Sequence, residues 1–507
     1  MSVTAHHLSY TYPGANTLAL NQVSLTLVPG WTGIVGSNGS GKSTLLKIVC
    51  GLIDPDEGSI STHIGGVFCS QSTHRPPPSL EDFAYDYSPV AVKLRYQLEI
   101  EDDWFWRFET LSHGERKRLQ IACALAASPP LLALDEPTNH LDSDTRELVA
   151  RTLSAYKGIG LLVSHDRTLL DELVNCCIFL DQGLATMVPG SYTEAKAQMD
   201  LRRKSAVIER RNAQQDLART QAESARRDNV TGRASARRSA RHLDIRDHDG
   251  REKLRLAIYS GQDGKSGKLS TQMTKKIERM EKRVEKAPVR KVYQGSLSLD
   301  TYPARRKILG HLPAGSLSLG GDRTLRYPDL YLGNADHIGI SGRNGAGKST
   351  LLAALLSRIT IEHGVVFVPQ ELTLEEGQSL LAEVKNMAST ERGRLLSIVA
   401  RLNSPPARIL EGDDLSPGEL RKLLLARGLM TAPHLIVMDE PTNHLDIHSI
   451  EALQNVLSGC NCALVLVSHD IPFLTSLTKT QWVFKVDRNE CGLVGDSEVE
   501  VLLQDLD

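Results

Sequence analysis

Short apolar runs that end abruptly in polar motifs recur near both ends of the chain. Thr32–Gly36 (TGIVG), Leu131–Asp135 (LLALD) and Gly160–Ser164 (GLLVS) lack the alternation of a strand with one wet face. They predict parallel strands buried on both faces, interleaved with helices. Polar residues that follow such strands lie at the carboxyl edge of an α/β sheet, where these sheets bind ligands. The middle of the chain, Thr193–Pro288, shows no strand pattern and is rich in Arg, Ala, Gln and Glu. About 35 residues from Thr193 carry neither Pro nor Gly and read as helix. Further on, Met273, Ile277, Met280 and Val284 have coiled-coil spacing after the breaker SGQDGKSGK, which predicts the second arm of a helical hairpin. Trp104, Phe105, Trp106 and Phe108 are expected to be core aromatics.

The chain repeats itself. GSNGSGKSTLL at Gly36–Leu46 returns as GRNGAGKSTLL at Gly342–Leu352, and LDEPTNHLD at Leu134–Asp142 returns as MDEPTNHLD at Met438–Asp446. The pairs Ser112/Ser416, Asp135/Asp439 and His165/His469 are each 304 residues apart. Shared order and spacing mean two copies of one domain. The expected organisation is α/β, two P-loop NTPase domains at 1–192 and 289–507 joined by a basic helical-hairpin linker at 193–288.

Charge sharpens this division. The 507 residues carry 59 Lys and Arg against 61 Asp and Glu, a net of -2. From Glu194 to Arg290, however, 26 basic residues face 14 acidic ones, and the remainder of the chain is correspondingly acidic. The run Thr231–His242 alone holds Arg233, Arg237, Arg238 and Arg241. Such a segment makes a poor protein core but neutralises RNA phosphates well. No run of 18 apolar residues occurs, and the start MSVTAHHLSY has neither the basic nor the apolar part of a secretory signal, so a cytoplasmic protein that spans no membrane is expected. The eight cysteines form no C-x-x-C pair and sit mostly in apolar runs, which predicts buried free thiols.

The repeated G-x-x-x-x-G-K-[ST] motif carries phosphate chemistry. In the first copy Gly36, Ser37, Asn38, Gly39, Ser40, Gly41, Lys42, Ser43 and Thr44 would curl backbone N–H groups around phosphates at a helix N-terminus. In the second, Gly342, Arg343, Asn344, Gly345, Ala346, Gly347, Lys348, Ser349 and Thr350 would do the same. The lysines reach the β and γ oxygens, and Ser43 and Ser349 ligate Mg2+. Asp135 and Asp439 end strand-like runs and are placed to hold the metal shell, with Glu136 and Glu440 one residue on to polarise water.

These residues resemble ATP-binding cassette proteins. LSHGE at Leu111–Glu115 and LSPGE at Leu415–Glu419 are similar to the family's signature motif. Gln71 and Gln370 resemble Q-loop residues at the Mg2+, Asp142 and Asp446 D-loop residues, and His165 and His469 switch histidines. The resemblance implies head-to-tail pairing of the two cassettes within one chain, a monomer with two ATP sites. One site would combine Lys42, Ser43, Gln71, Asp135, Glu136 and His165 with Ser416 and Gly418; the other would combine Lys348, Ser349, Gln370, Asp439, Glu440 and His469 with Ser112 and Gly114. Two departures stand out. The third signature position is His113 or Pro417 instead of glycine, and Pro417 has no N–H to offer phosphate. Tyr12 is placed to stack on adenine in the first site, whereas Ser318 and Leu319 hold the matching place in the second, so weaker stacking is expected there.

Tandem cassettes with DEPTNHLD in both copies, LSxGE signatures and a basic linker of this length resemble the ABC-F family, whose members are soluble translation factors. That resemblance implies ATP hydrolysis, ATP-dependent ribosome binding, contact of the linker with ribosomal RNA and the P-site tRNA, and either a housekeeping role or protection of ribosomes from antibiotics. The short spacing from Gln71 to Ser112, 41 residues, leaves no room for the large arm insertion of some members. The alternative is the ATPase component of a transporter with two fused cassettes; a DNA-repair cassette ATPase is disfavoured by the absence of a cysteine zinc module.

Overall fold

A computed structural model of the chain describes residues 2–237, 272–282 and 301–505, apart from 16, 62–64, 140, 321–322, 362, 412–414 and 487–497. Val284 and the turn of the expected hairpin lie outside the described residues. Two units separate: Met1–Ala195 together with Tyr293–Asp507, and Lys196–Val292.

In the first unit the apolar runs form strands Gly30–Gly36, Leu131–Asp135 and Ile159–Val163. Every residue of the last two is buried, which is why they lack alternation. Each such Leu or Ile contributes about 1.5–3 kcal/mol by leaving water. The six-stranded sheet runs Gly66–Cys69, Leu131–Asp135, Ile159–Val163, Gly30–Gly36, Val174–Asp181, Leu184–Pro189. All neighbours are parallel except the last pair. The register sets Asp135 opposite Val163. Three adjacent strands therefore end at one edge and deliver Glu136, Ser164–His165 and the loop after Gly36 side by side.

The second copy repeats this core in an eight-stranded sheet, where His337–Gly342, Ala463–Val467, Leu435–Asp439 and Val365–Val368 lie in that order, with Asp439 opposite Val467. Beside the first core, Val3–Tyr10 pairs antiparallel with Leu20–Leu27 and Glu57–Ile60. Tyr12 lies just past the first of these strands.

Trp104, Phe105 and Phe108 are buried as expected, but Trp106 is 68% exposed and meets Tyr85 edge-on at 6.0 Å between ring centres. Consecutive side chains on the single 3-10 turn Asp102–Phe105 point about 120° apart, so three aromatics in a row cannot all face the core. Cys50, Cys69, Cys123, Cys177, Cys460 and Cys462 are buried free thiols, whereas Cys176 is half-buried; Cys491 is outside the described residues.

The helix that enters the second unit, Tyr192–Arg237, has 46 residues and a length of about 70 Å. It exceeds the stretch expected from sequence because it runs on through Gly232, whose presence costs only about 1 kcal/mol. A further helix spans 272–282, with Met273, Ile277 and Met280 half-buried between exposed neighbours, the expected seam. No helix among the described residues is long and apolar enough to cross a membrane.

Candidate nucleotide sites

The two P-loops are built alike. Helices Lys42–Val49 and Lys348–Leu356 start from Gly41 and Gly347, whose φ values of 98° and 94° place them in the left-handed region. A Cβ on Gly41 would also stand 2.4 Å from the carbonyl oxygen of Ala19, so only glycine fits. Lys42 Nζ donates to the carbonyls of Gly36 (2.9 Å) and Ser37 (3.0 Å). Lys348 Nζ donates to Gly342 (2.8 Å) and Arg343 (3.0 Å). Burial lowers the pKa of both lysines, against the pull of Glu136 and Glu440. The hydroxyl of Ser40 is buried without a partner, and Ala346, its counterpart, is buried too.

Glu136 and Glu440 follow the buried strands in a left-handed backbone conformation, φ 50° and 47°. The turn lets each amide donate to the neighbouring strand, Glu136 to Val163 O at 2.9 Å and Glu440 to Val467 O at 2.8 Å. Non-glycine residues in this region are strained, a cost found where geometry serves function. One carboxylate oxygen accepts the amide of the switch histidine, at 3.2 Å for His165 and 3.3 Å for His469. The other oxygen, Oε1, is buried without a hydrogen bond in both copies, with the histidine Nε2 misaligned at 3.2 and 3.4 Å. Burial pushes the carboxyl pKa up to about 8 in Glu136 and about 7 in Glu440. Burial likewise pushes His165 and His469 down to about 3, so both rings are neutral.

The two cassettes interlock through their D-loop aspartates. Asp142 Oδ1 accepts the amide of Thr145 and Asp446 Oδ1 that of Ser449, so each caps its own helix. The second oxygen of each reaches the other cassette: Asp446 Oδ2 accepts the amide of Asn38 at 3.0 Å, and Asp142 Oδ2 that of Asn344 at 3.3 Å. Burial opposes both charges, but these hydrogen bonds outweigh it and hold the pKa values below the ordinary carboxylate value. An Asp446→Asn variant keeps the cap acceptor but turns a donor toward the donating amide of Asn38 and loses the charge that these hydrogen bonds favour; we expect it to unfold at a lower temperature than wild type and to turn over ATP more slowly. Asp446→Ala loses the cap as well and costs about 1 kcal/mol more than the asparagine variant in a denaturant titration.

A cavity of about 980 Å³ is lined by Tyr12, Asn38, Gly39, Gly41, Lys42, Ser43, Thr44, Gln71, Asp135, Glu136 and His165 from the first cassette, and by Ser416 and Gly418 from the second. The first expected set is thus brought together. Tyr12 stands at its mouth, its hydroxyl 2.8 Å from Thr44 Oγ1. Of the second set, Lys348 and His469 are linked directly, His469 Nε2 lying 3.2 Å from Lys348 Nζ and also 2.9 Å from Oδ1 of the P-loop residue Asn344. Ser349 Oγ donates to Asp439 Oδ2 at 3.1 Å. Ser112 is a helix cap and Gly114 lies against Leu141, beside Asp142. Gln370 and Thr350 are exposed, and Leu319 packs on Gly347 where Tyr12 has no counterpart. Ser43 with Asp135, and Ser349 with Asp439, are hard oxygen donors of the kind Mg2+ takes.

Both signature serines form capping boxes, Ser112 with Glu115 and Ser416 with Glu419. Pro417 occupies the first turn of its helix, where an N–H would find no intrahelical partner. Sequence reasoning missed Lys117, one helical turn further on. It is 1% exposed, and its Nζ donates to the carbonyls of Ser70 (2.9 Å) and Gln71 (3.2 Å) and to Gln120 Oε1 (3.0 Å). It thus ties the signature helix to the Q-loop of the same cassette. Its counterpart Arg421 instead donates to the carbonyls of Glu440 and Asn443, both at 3.1 Å. The 304-residue repeat marks the pair, but nothing in a Glu-Arg-Lys-Arg run marks one member as buried.

A P-loop, an acidic strand end and a switch histidine at adjacent strand ends, faced by a signature helix from the other copy, define a tandem ATP-binding cassette protein. A family model described as ABC transporter matches residues 20–139 and again 325–443. The tylosin resistance ATP-binding protein TlrC of Streptomyces fradiae is 32% identical over 89% of this chain and 92% of its own. The ribosome protection protein VmlR of Bacillus subtilis is 29% identical over 89% and 81%. The energy-dependent translational throttle protein EttA of Mycobacterium tuberculosis is 26% identical over 90% and 86%. The chain belongs to the ABC-F family of ATP-binding cassette ATPases. Among solved structures, the archaeal ribosome recycling factor aABCE1 in complex with the stalk protein aP1 shares the fold, with a TM-score of 0.62 and 19% identity over 98% of this chain and 90% of that one.

Proposed function

We propose that the protein binds the ribosome when its two cassettes hold ATP, modulates translation there, and releases on hydrolysis. The observation that carries this reading is the cavity walled by the first P-loop and the second signature helix, because a nucleotide filling it joins the cassettes. The names of TlrC, VmlR and EttA point to ribosome protection, drug resistance and translation control, and protection from an antibiotic is the specific role we favour. The basic linker, residues 193–288, would supply the contact to ribosomal RNA and the P-site tRNA, since the acidic cassettes repel phosphate. The protein would act in the cytoplasm as a monomer.

In each site the P-loop amides and Lys42 or Lys348 take the phosphates, and Ser416 with Gly418, or Ser112 with Gly114, close the anion cage from the other cassette. Mg2+ would be held by Ser43, Asp135 and Gln71 in one site and by Ser349, Asp439 and Gln370 in the other, where it neutralises charge on the β- and γ-phosphates. Glu136 and Glu440 orient the attacking water and take its proton at Oε1, the oxygen that has no other partner. His165 and His469, held neutral by burial, would face the γ-phosphate.

The test is sedimentation of the Glu136→Gln/Glu440→Gln protein with ribosomes through sucrose. Binding with ATP but not ADP, lost when 193–288 is replaced by a short flexible linker and weakened by salt, is the expected result. Binding to neither nucleotide form would overturn ribosome association and leave the ATPase intact.

A further inference from the structure

The two switch loops differ in what reaches them across the seam between the cassettes. Arg146, on helix Ser143–Ser154 of the first cassette, donates from Nη1 to the carbonyl of His469 at 3.2 Å. Arg167, at the start of helix Arg167–Leu173, brings Nη2 to 3.7 Å from Asp470 Oδ2. These side chains are largely buried, with 21% and 19% of each exposed. Arg146 is fixed in turn by its own cassette, through Nε to the carbonyl of Leu141 at 3.0 Å and through Asp166 at 3.7 Å. At the repeat spacing of 304 residues the second cassette carries Ile450 and Ile471. Neither isoleucine can offer His165 or Asp166 a charge or a donor. Duplication would have provided both loops with the same wiring, yet one direction alone has it.

We propose that Arg146 and Arg167 are positioning residues through which the first cassette controls the switch histidine of the second nucleotide site, with no reciprocal control of His165. The inference rests on the reading of Glu440 and His469 as hydrolytic residues. The His469 imidazole lies 2.9 Å from Asn344 Oδ1 and 3.4 Å from Glu440 Oε1. Its peptide carbonyl is the group Arg146 grips, and Asp470 one residue on is the group Arg167 faces. Without the two cations this loop loses its hold on the first cassette, and a displacement of about 1 Å at a reacting group costs roughly 10²-fold. Hydrolysis in the second site then reports where the first cassette stands, while hydrolysis in the first site does not report on the second in this way.

Single-turnover hydrolysis of radiolabelled ATP by the full chain tests this. In the Glu136→Gln background only the second site fires; in the Glu440→Gln background only the first does. Adding Arg146→Ile and Arg167→Ile, the residues of the other copy, should slow the former by about tenfold or more and the latter by less than about twofold. Arg146→Lys with Arg167→Lys should recover most of the loss, a rescue that mere packing would not give. Equal slowing in both backgrounds, or none in either, overturns the proposal. So does loss of all turnover from either glutamate change alone, since one-way control requires sites that fire separately. Undiminished turnover in the Glu136→Gln/Glu440→Gln protein would instead remove the underlying reading of the glutamates.

Discussion

Replacing Glu136 and Glu440 together by glutamine should slow ATP turnover by about 10²–10⁴-fold, the usual worth of a positioned general base, while a fluorescent ATP analogue still binds. The geometry explains both halves. Each Oε1 is buried and free of hydrogen bonds, so glutamine of the same shape fits but cannot accept a proton from water. Carboxyl pKa values raised to about 8 and about 7 by burial lie close to neutral pH, where a base can both take up and return a proton. The same shifts set a pH dependence of stability. A carboxyl with a raised folded pKa contributes stability that is fully present below its unfolded value near 4.5 and lost as pH rises through about 8. Glutamine does not titrate. The nucleotide-free double variant should therefore gain thermal stability over wild type as pH rises from 5 to 8, and a gap that shrank with rising pH would count against the burial argument.

Lys117→Ala should destabilise the first cassette by about 2–4 kcal/mol in a denaturant titration. Three terms compete. Removing a buried four-carbon stem leaves a cavity comparable to that of a Leu→Ala change, about 3–5 kcal/mol. The carbonyls of Ser70 and Gln71 also lose their donor, at about 1–3 kcal/mol for each that water does not reach. Against these, the variant no longer buries an ammonium whose pKa burial has lowered from 10.5 to about 8, a relief of about 3 kcal/mol. The cavity and the orphaned carbonyls win. Because the folded pKa is depressed, wild type gains stability as pH rises from about 8 to 10.5, and the alanine variant should lack that gain. Loss of the tie between signature helix and Q-loop should also raise the KM for ATP in the site that contains Gln71.

What the sequence revealed and what it hid divide along physical lines. Gly41 and Gly347 were legible because a left-handed helix start leaves no choice of residue, and Asp135 and Asp439 because fully buried strands write themselves as unbroken apolar runs. The repeat itself pairs each of these residues with its counterpart. Lys117 and Arg421 were hidden because lysine and arginine on a helix normally cover a solvated face, and only packing shows which one turns inward. Trp106 misled in the opposite sense, since a cluster of aromatics says nothing about which ring a 3-10 turn points outward. The double duty of Asp142 and Asp446 could not be read either. A capping residue and a bridging residue have the same letter, and the bridge exists only once the two cassettes meet.

The arginine–isoleucine difference at the seam also makes the two halves of this chain unequal as building blocks. A chimera carrying the first cassette twice would bring two copies each of Arg146 and Arg167 to the switch loops, where the natural pair has one of each. A chimera carrying the second cassette twice would bring neither of these two arginines and leave both copies of Asp470 without the cation that Arg167 supplies. Neither half can stand in for the other, so divergence after duplication has made the pairing of two unlike cassettes part of the device, and recombination between the repeats yields a pair that closes without the link between one cassette and the other's switch, or with that link doubled.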